Sequence, residues 1–293
     1  WGGKQMTRVM ITGAGSYLGT RIAAYLNGLG GAFETQTLDL RGAWSQDAFQ
    51  GWDAVVHVAG IAHRRETEQN RALYFQVNCD LAVQAARAAK AQGVRQFVFF
   101  SSMSVYGLVC GRITADTVPA PVTSYGSSKY EAERLLRALE DDAFHVAILR
   151  PPMIYGPGCK GNYPRLSKLM QMLPVFPRVH SERSMLYVGC LCAFVRRLLE
   201  TGEGGLYFPQ NREYVSMDAL AREIARARGK RLWQPRGCQW LLRALSTRVN
   251  TVGKLFGSLT YDQAMSTAFA DEPQLDFAET IRLTEQAQDA LPQ

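Results

Sequence analysis

The sequence predicts an α/β protein built on a doubly wound parallel sheet, and three observations support that. A short apolar run, Arg8-Val-Met-Ile-Thr12, ends in a glycine-rich turn and passes into a periodic helical segment, Leu18 to Leu26. Later apolar runs at 53–60, 95–102 and 145–149 are hydrophobic nearly throughout rather than alternating, as strands buried on both faces should be. Helical segments separate these runs, the alternation expected of a parallel sheet with crossover helices.

Composition sets the outer limits. At 293 residues the chain suits one α/β domain with a smaller companion. Its 47% hydrophobic and 20% charged residues are those of an ordinary soluble globular protein. No apolar run reaches the length of a membrane span, and no leader peptide is read at the start. Trp1 to Gln5 precede Met6 and are left out of the fold reasoning. The net charge of +7 comes without a block of like charge or a basic stripe interleaved with aromatics, so nucleic acid is not an expected partner. A phosphate-bearing small molecule satisfies the same surplus. Cys79, Cys110, Cys159, Cys190, Cys192 and Cys238 form no C-x-x-C pair and no zinc pattern, which fits reduced thiols and a cytoplasmic protein.

Each element carries its own argument. The glycine turn Gly13-Ala-Gly-Ser-Tyr-Leu-Gly19 lies between strand and helix, where glycines let the backbone approach a pyrophosphate that rests on the helix amides. Thr37-Leu38-Asp39 ends a second strand with a carboxylate placed for a ribose diol, which favours NAD; Arg41 keeps NADP open. Only a short connection leads from there to the strand at 53–60, so a crossover strand commonly found at this point is missing or abbreviated. His57 inside that strand reads as a packed core histidine. His63, just past it, is placed to face the cofactor crevice but has no identified partner.

Glu66 to Gln92 reads as a helical pair with an alanine-rich face, and Asn78 in its middle is placed to hydrogen-bond backbone at a helix break. The run 95–102 ends in Ser101 and Ser102; strand carboxyl ends face the ligand crevice in such sheets, which places Ser102 for chemistry. Val118-Pro-Ala-Pro121 then leads stiffly into Ser124-Tyr-Gly-Ser-Ser-Lys-Tyr-Glu-Ala-Glu-Arg134. In a helix, Tyr125 and Lys129 share one face. An ammonium about 4 Å from the phenol, at an effective dielectric of about 20, would favour the phenolate by roughly 4 kcal/mol, or about three pKa units. A tyrosine so placed exchanges a proton near neutrality.

His145 to Leu149 is a further strand, stopped by Pro151-Pro152. Beyond Gly158, helices are expected over Asn162–Leu173, Leu191–Leu199 and from a Ser216 cap to about Arg228, with extended chain at Ser184–Val188 and a strand at Leu206–Phe208 returning to the sheet edge. Leu241, Leu245, Val252, Phe256 and Leu259, interrupted by Arg243, Arg248 and Lys254, read as a helix packed on the second domain, with a membrane-surface helix as the other reading. From Glu272 onward the tail is polar, with Leu275, Phe277, Ile281 and Leu283 to dock it.

Taken together, Thr12-Gly-Ala-Gly-Ser-Tyr-Leu-Gly19, Asp53-Ala-Val-Val-His-Val-Ala-Gly60, Ser101-Ser-Met-Ser-Val-Tyr-Gly107, the Tyr125/Lys129 pair and Arg150-Pro-Pro-Met-Ile-Tyr-Gly-Pro-Gly158 occur in an ordered set. The set resembles the extended short-chain dehydrogenases/reductases, the NAD-dependent epimerase/dehydratase family of nucleotide-sugar enzymes. The likeness is clear from Met6 to about Phe208 and weaker beyond. It implies a Rossmann-type domain over 6–154, to which about 185–210 return, and a smaller, mainly helical substrate domain over 155–293.

The resemblance also implies roles. Ser102, Tyr125 and Lys129 match the catalytic serine, the acid/base tyrosine and the lysine that holds the nicotinamide ribose and lowers the tyrosine pKa. Gly13, Gly15, Ser16, Tyr17, Leu18, Gly19, Asp39, Ala59, Gly60 and Pro152 match the positions that, with Tyr125 and Lys129, hold NAD or NADP. Ser102, Ser104, Asn162 and Arg183 match substrate positions, the last two beside a nucleotide diphosphate, for which a guanidinium is apt. A homodimer is expected by analogy, and no metal.

Three departures stand out. Ser16 replaces a usual glycine, and Met153 replaces an asparagine that many epimerases carry. Met103-Ser104 replaces the acidic pair of 4,6-dehydratases, which makes that branch the least expected. A further similarity, to reductases of 4-keto-6-deoxy-hexosamine nucleotides, points to hydride chemistry at sugar C4 in surface-polysaccharide synthesis, by epimerisation or by 4-keto reduction. A protein that binds NAD(P) and regulates without turnover is the reading from another class; the complete Ser/Tyr/Lys set argues against it.

Overall fold

The computed structural model describes residues 6–62, 66–172, 174–178, 181–235 and 257–288. His63, Cys238 and the apolar face from Leu241 to Phe256 lie outside the described residues.

In chain order the first half runs β1 (Thr7–Thr12), α1 (Tyr17–Asn27), β2 (Phe33–Leu38), β3 (Ala54–His57), α2 (Glu68–Phe75), α3 (Leu81–Ala91), β4 (Gln96–Phe100), β5 (Gly111–Ile113) and α4 (Ser124–Arg137). The second half continues through β6 (His145–Leu149), β7 (Met153–Tyr155), α5 (Asn162–Met172), β8 (Glu182–Arg183), β9 (Met185–Tyr187), α6 (Val188–Thr201) and β10 (Gly205–Tyr207). It closes with β11 (Val215–Ser216), α7 (Met217–Ala227), β12 (Leu259–Tyr261) and the last helix, α8 (Phe277–Gln288).

Two compact units result. Trp1–Gly107, Val118–Pro151 and Leu191–Pro209 form the first; Leu108–Thr117, Pro152–Cys190 and Gln210–Gln293 form the second.

The first unit holds a six-stranded sheet in the order β2-β1-β3-β4-β6-β10, every neighbouring pair parallel. All residues of β3 and β4 are buried, which is why those runs are hydrophobic without alternation. Ala82, Ala85, Ala86 and Ala89 give α3 a smooth face that packs closely on Val55, Phe97 and Phe99. The strand order reverses between β1 and β3, the switch point at which such sheets open a crevice for ligands. Between β2 and β3 the connection is abbreviated to a single 3₁₀ turn, Gln46–Phe49, whose buried Phe49 meets Trp44 edge to face. At the far edge, Gln96 donates to the carbonyls of Leu198 and Glu203, fixing the approach to β10.

The second unit is mixed. Its four-stranded sheet runs β11-β8-β12-β5, with β11 antiparallel to β8, and a two-stranded parallel pair joins β7 to β9. None of β5, β8, β11 and β12 exceeds three residues, too short for a periodicity signal in the sequence. Tyr155 stacks on Tyr163 at 5.5 Å and meets Tyr187 at 5.6 Å. The tail differs from its sequence reading. Leu275 is exposed, and α8 docks through Ile281 together with buried Thr280, Thr284 and Glu285. Hydrogen-bond partners make that polar burial affordable: Tyr155 for Thr280, and Tyr163 and Ser167 for Glu285.

Candidate active site

Chemistry gathers at the carboxyl ends of the first unit's strands. After β1, Gly13 adopts φ +92° and Gly15 φ +73°, backbone that L side chains rarely take. A Cβ on Gly13 would meet the Ala59 backbone nitrogen at 2.9 Å, whereas nothing lies within 4 Å of one on Gly15. The turn is thus closed on the sheet side and bare at Gly15. Ser16 needs no positive φ. It is the N-cap of α1, at φ −74° and ψ 151°, and its hydroxyl accepts from the Gly19 amide at 3.1 Å. A serine in place of the usual glycine therefore adds a cap without straining the turn. Tyr17 and Leu18 begin the helix.

Asp39 follows β2 and is clasped by Arg41, whose Nε and Nη2 donate to the carboxylate at 2.9 and 2.7 Å. The guanidinium hydrogen bonds hold the Asp39 carboxyl down at about 2. Anion and cation both stand at the ribose position named from the sequence.

Past β3, Ala59 and Gly60 pass under Asn78. The helical pair α2 and α3 is joined without a break through a π-turn, Gln76–Asp80, and this widened turn turns Asn78 inward. Its amide oxygen accepts from Ile61 N at 2.8 Å, while its nitrogen donates to Ile61 O at 3.1 Å and to Ser128 Oγ at 3.2 Å. The expected asparagine-to-backbone hydrogen bonds are present, but at a π-turn in a continuous helix rather than at a helix break. A Cβ at Gly60 would come within 2.9 Å of Asn78 Oδ1 and 3.4 Å of Lys129 Nζ, so glycine is what lets the three approach.

Ser102 follows β4, and Thr123 caps α4 by accepting from the Gly126 amide at 3.1 Å. Ser102 Oγ accepts from the Ser104 amide at 3.1 Å and lies 3.2 Å from Ser104 Oγ, and Tyr125, half-buried, stands in the first turn of α4. Lys129, one turn along α4, is almost wholly buried. Its Nζ donates to the Phe100 carbonyl at 2.8 Å and stands 4.6 Å above the Phe99 ring.

This geometry departs from the sequence expectation in one respect. Burial raises the Tyr125 pKa, Ser102 opposes the rise and Tyr74, edge-on at 6.4 Å, adds to it. Burial pulls Lys129 down to about 8, against the attraction of Glu133. The ammonium is drawn to a carbonyl and a ring face rather than to the phenol, so Tyr125 is here a protonated acid. His57, beneath, is neutral: burial and then the charge of Lys129 lower it to about 3. Its Nδ1 meets Thr12 Oγ1 at 2.9 Å, and its ring stacks on Phe97 and Phe99.

The second unit holds the other named positions. Asn162 is the first residue of α5, and Pro152 leads into β7. Arg183 lies in β8, half-buried, and burial lowers the pKa of its guanidinium. Among the described residues no cluster of His, Cys, Asp and Glu forms a metal site, and no helix is long and apolar enough to cross a membrane.

A model of the NAD dependent epimerase/dehydratase family matches residues 9–207. The chain belongs to this family. As an epimerase/dehydratase family member it is 32% identical over 222 residues to UDP-glucose 4-epimerase of Vibrio cholerae, covering 71% of this chain and 68% of that protein. It is 29% identical over 206 residues to N-acetyl-alpha-D-glucosaminyl-diphospho-ditrans,octacis-undecaprenol 4-epimerase of Escherichia coli O157:H7, covering 68% of this chain and 62% of that protein. Its fold superimposes on a UDP-glucuronic acid 4-epimerase from Bacillus cereus in complex with NAD, with a TM-score of 0.74 and 18% identity over 97% of this chain and 99% of that one.

Two features of this family member escaped sequence reasoning. Glu133 of α4 is almost wholly buried against Arg150, whose Nη2 and Nε donate to its carboxylate at 2.6 and 2.9 Å, and Ser101 Oγ donates to it as well. Arg150 Nη1 also donates to the Tyr106 hydroxyl at 2.8 Å. Glu66 accepts from the amide and hydroxyl of Ser124 at the start of α4. For Glu133 a signal existed, its position four residues after Lys129 on one helix face.

Proposed function

We propose that the protein is an NAD(P)-dependent nucleotide-sugar 4-epimerase in which Tyr125 moves the proton at the sugar 4-oxygen. The observation that carries this reading is Ser102 at the end of β4 with Tyr125 and Lys129 one turn apart on α4, in the same unit as the bare glycine turn after β1. The two 4-epimerase relatives support the choice of C4. The dinucleotide is proposed to be held through Gly13, Gly15, Ser16, Tyr17, Leu18, Gly19, Asp39, Ala59, Gly60, Tyr125 and Lys129 of the first unit and through Pro152, and the sugar nucleotide through Asn162 and Arg183.

The nicotinamide ring supplies a reversible hydride acceptor at C4 of the sugar when bound. Ser102 hydrogen-bonds the 4-oxygen, and Ser104 supports Ser102. Tyr125, having first released its proton, takes as phenolate the proton of the 4-hydroxyl and as phenol returns it to the 4-keto oxygen; Lys129 is the cation on the same helix face that would favour the phenolate in the oxidising half. Asp39 binds a ribose diol and Arg41 a 2′-phosphate, so either coenzyme finds a partner. Met103 and Ser104 carry no carboxylate to remove a C5 proton, which argues against 4,6-dehydration. Reduction of a 4-keto sugar uses the same groups with external reduced coenzyme, and a place in surface-polysaccharide synthesis is proposed with either outcome.

The test is incubation with UDP- and dTDP-sugars and their 4-keto forms while nicotinamide absorbance and sugar configuration are followed. An epimerase inverts C4 with no net change in absorbance. Stoichiometric loss of reduced coenzyme would assign the reductase, and coenzyme binding without conversion of any sugar would overturn both.

A further inference from the structure

Ser101, Phe100 and Ser102 are consecutive at the end of β4, and each is held differently. Phe100 offers its carbonyl to Lys129, Ser102 accepts from the Ser104 amide in the turn that follows, and Ser101 between them donates to the Glu133 carboxylate. That carboxylate is 2% exposed and gripped bidentately by Arg150, itself 5% exposed and following β6. Tyr106 bonds the far side of the guanidinium, and its ring lies 5.0 Å from it. The two ends of β4 and β6 and the middle of α4 are therefore tied at one point.

We propose that Glu133 is a positioning residue of this site: clamped by Arg150 and bonded by Ser101, it fixes the strand end that presents the Phe100 carbonyl to Lys129 and carries Ser102, and it provides the negative charge facing the buried ammonium. This rests on the reading of Tyr125 and Lys129 as the reacting pair. Among the described residues, Glu133 is the carboxylate that stabilises that ammonium. Cys79 faces Lys129 from the π-turn, burial having pushed its thiol up to about 11, and His57 faces it from β3 as a neutral ring. Tyr125 lies one turn before on α4 with its proton on, and Tyr74 faces Tyr125 from α2. Glu133 raises the Lys129 pKa that burial lowers. A carboxylate within one helical turn shifts such a group by about one unit or more.

The experiment follows the Lys129 side chain by NMR in the full chain carrying ¹³C-labelled lysine, with Lys129→Arg to assign its signal. In Glu133→Gln, which keeps the shape and removes the charge, the Lys129 midpoint should fall by about one pH unit below that of the parent protein. If turnover is measurable, its alkaline limb should fall by the same amount. Should Glu133→Gln fail to fold, Glu133→Leu with Arg150→Met removes both buried charges together, an exchange that buried ion pairs tolerate, and a smaller fall in the same direction is expected because the Arg150 cation is lost as well. A midpoint unmoved in the folded variant overturns the proposal. Because the titration needs neither sugar nor coenzyme, a shifted midpoint in a protein that converts no sugar would refute the proposed function while sustaining this role for Glu133.

Discussion

Glu133 of α4 and Glu285 of α8 are both almost wholly buried carboxylates, and each is paired with an arginine, Arg150 at 2.6 Å and Arg228 at 2.9 Å. What surrounds them differs. Glu285 takes its other donors from α5, with the Tyr163 hydroxyl at 2.8 Å, Ser167 at 2.9 Å and Gln171 at 3.3 Å, so it ties α5, the end of α7 and α8 to one another. Glu133 takes its donors from strand ends, Ser101 and Arg150. A buried ion pair adds little net stability over an apolar core but specifies a unique arrangement in some proteins. In the second unit the arrangement specified is helix packing, whereas in the first it is the joining of two strand ends to α4 beside the candidate site.

Four experiments would break or sharpen this contrast. The largest effect is expected from Tyr125→Phe, which should lower turnover by about 10²–10⁴-fold while leaving the denaturation midpoint near that of the parent, since the ring keeps its place against Tyr74. Steady-state sugar conversion beside a urea curve measures both, and retained turnover removes Tyr125 from the chemistry. Glu285→Leu should do the reverse, costing about 3–5 kcal/mol in urea unfolding because Arg228, Tyr163 and Ser167 lose a shared acceptor. A loss under about 1 kcal/mol would show that the helices do not depend on it.

His57 sets the third. Its folded pKa, about 3, lies below the ordinary 6.5, so the unfolded chain takes up the proton first. The stability associated with the neutral ring is complete above about pH 6.5 and is lost as pH falls toward 3, amounting to at most about 3 kcal/mol between pH 7 and pH 4. His57→Leu should flatten that acid limb in denaturation curves taken at stepped pH; an unchanged limb would mean the imidazole charges without penalty. Smallest is Ser16→Ala, expected to cost about 1 kcal/mol through loss of the α1 cap, with a correspondingly lower urea midpoint.

The central sheet was legible because burial on both faces leaves an unmistakable mark: Ala54 to His57 and Gln96 to Phe100 have room for little that is polar. Caps were equally plain, and Ser216 opens α7 as read. In the second unit β8 and β11 are two residues each, below the length at which alternation exists. The tail misled for a different reason. Thr280 and Glu285 look like solvent-facing residues until their partners more than 100 positions away on the chain, Tyr155 and Tyr163, are folded against them. At the candidate site, spacing placed Tyr125 and Lys129 on one helix face but said nothing about where the ammonium would turn. The Phe100 carbonyl and the Phe99 ring, both from β4, decide that.

The widened turn at Gln76–Asp80 makes the stretch from Glu68 to Ala91 sensitive to its length. An α-helix rotates by about 100° for each residue, so deleting a single amino acid there would let the backbone close into regular α form and swing Asn78 away from Ile61 and Ser128. Composition and hydrophobic patterning would barely register such a deletion. For anyone designing chimaeras or trimming the scaffold, the residue count across this segment is therefore as strict a requirement as the identity of the side chains it carries.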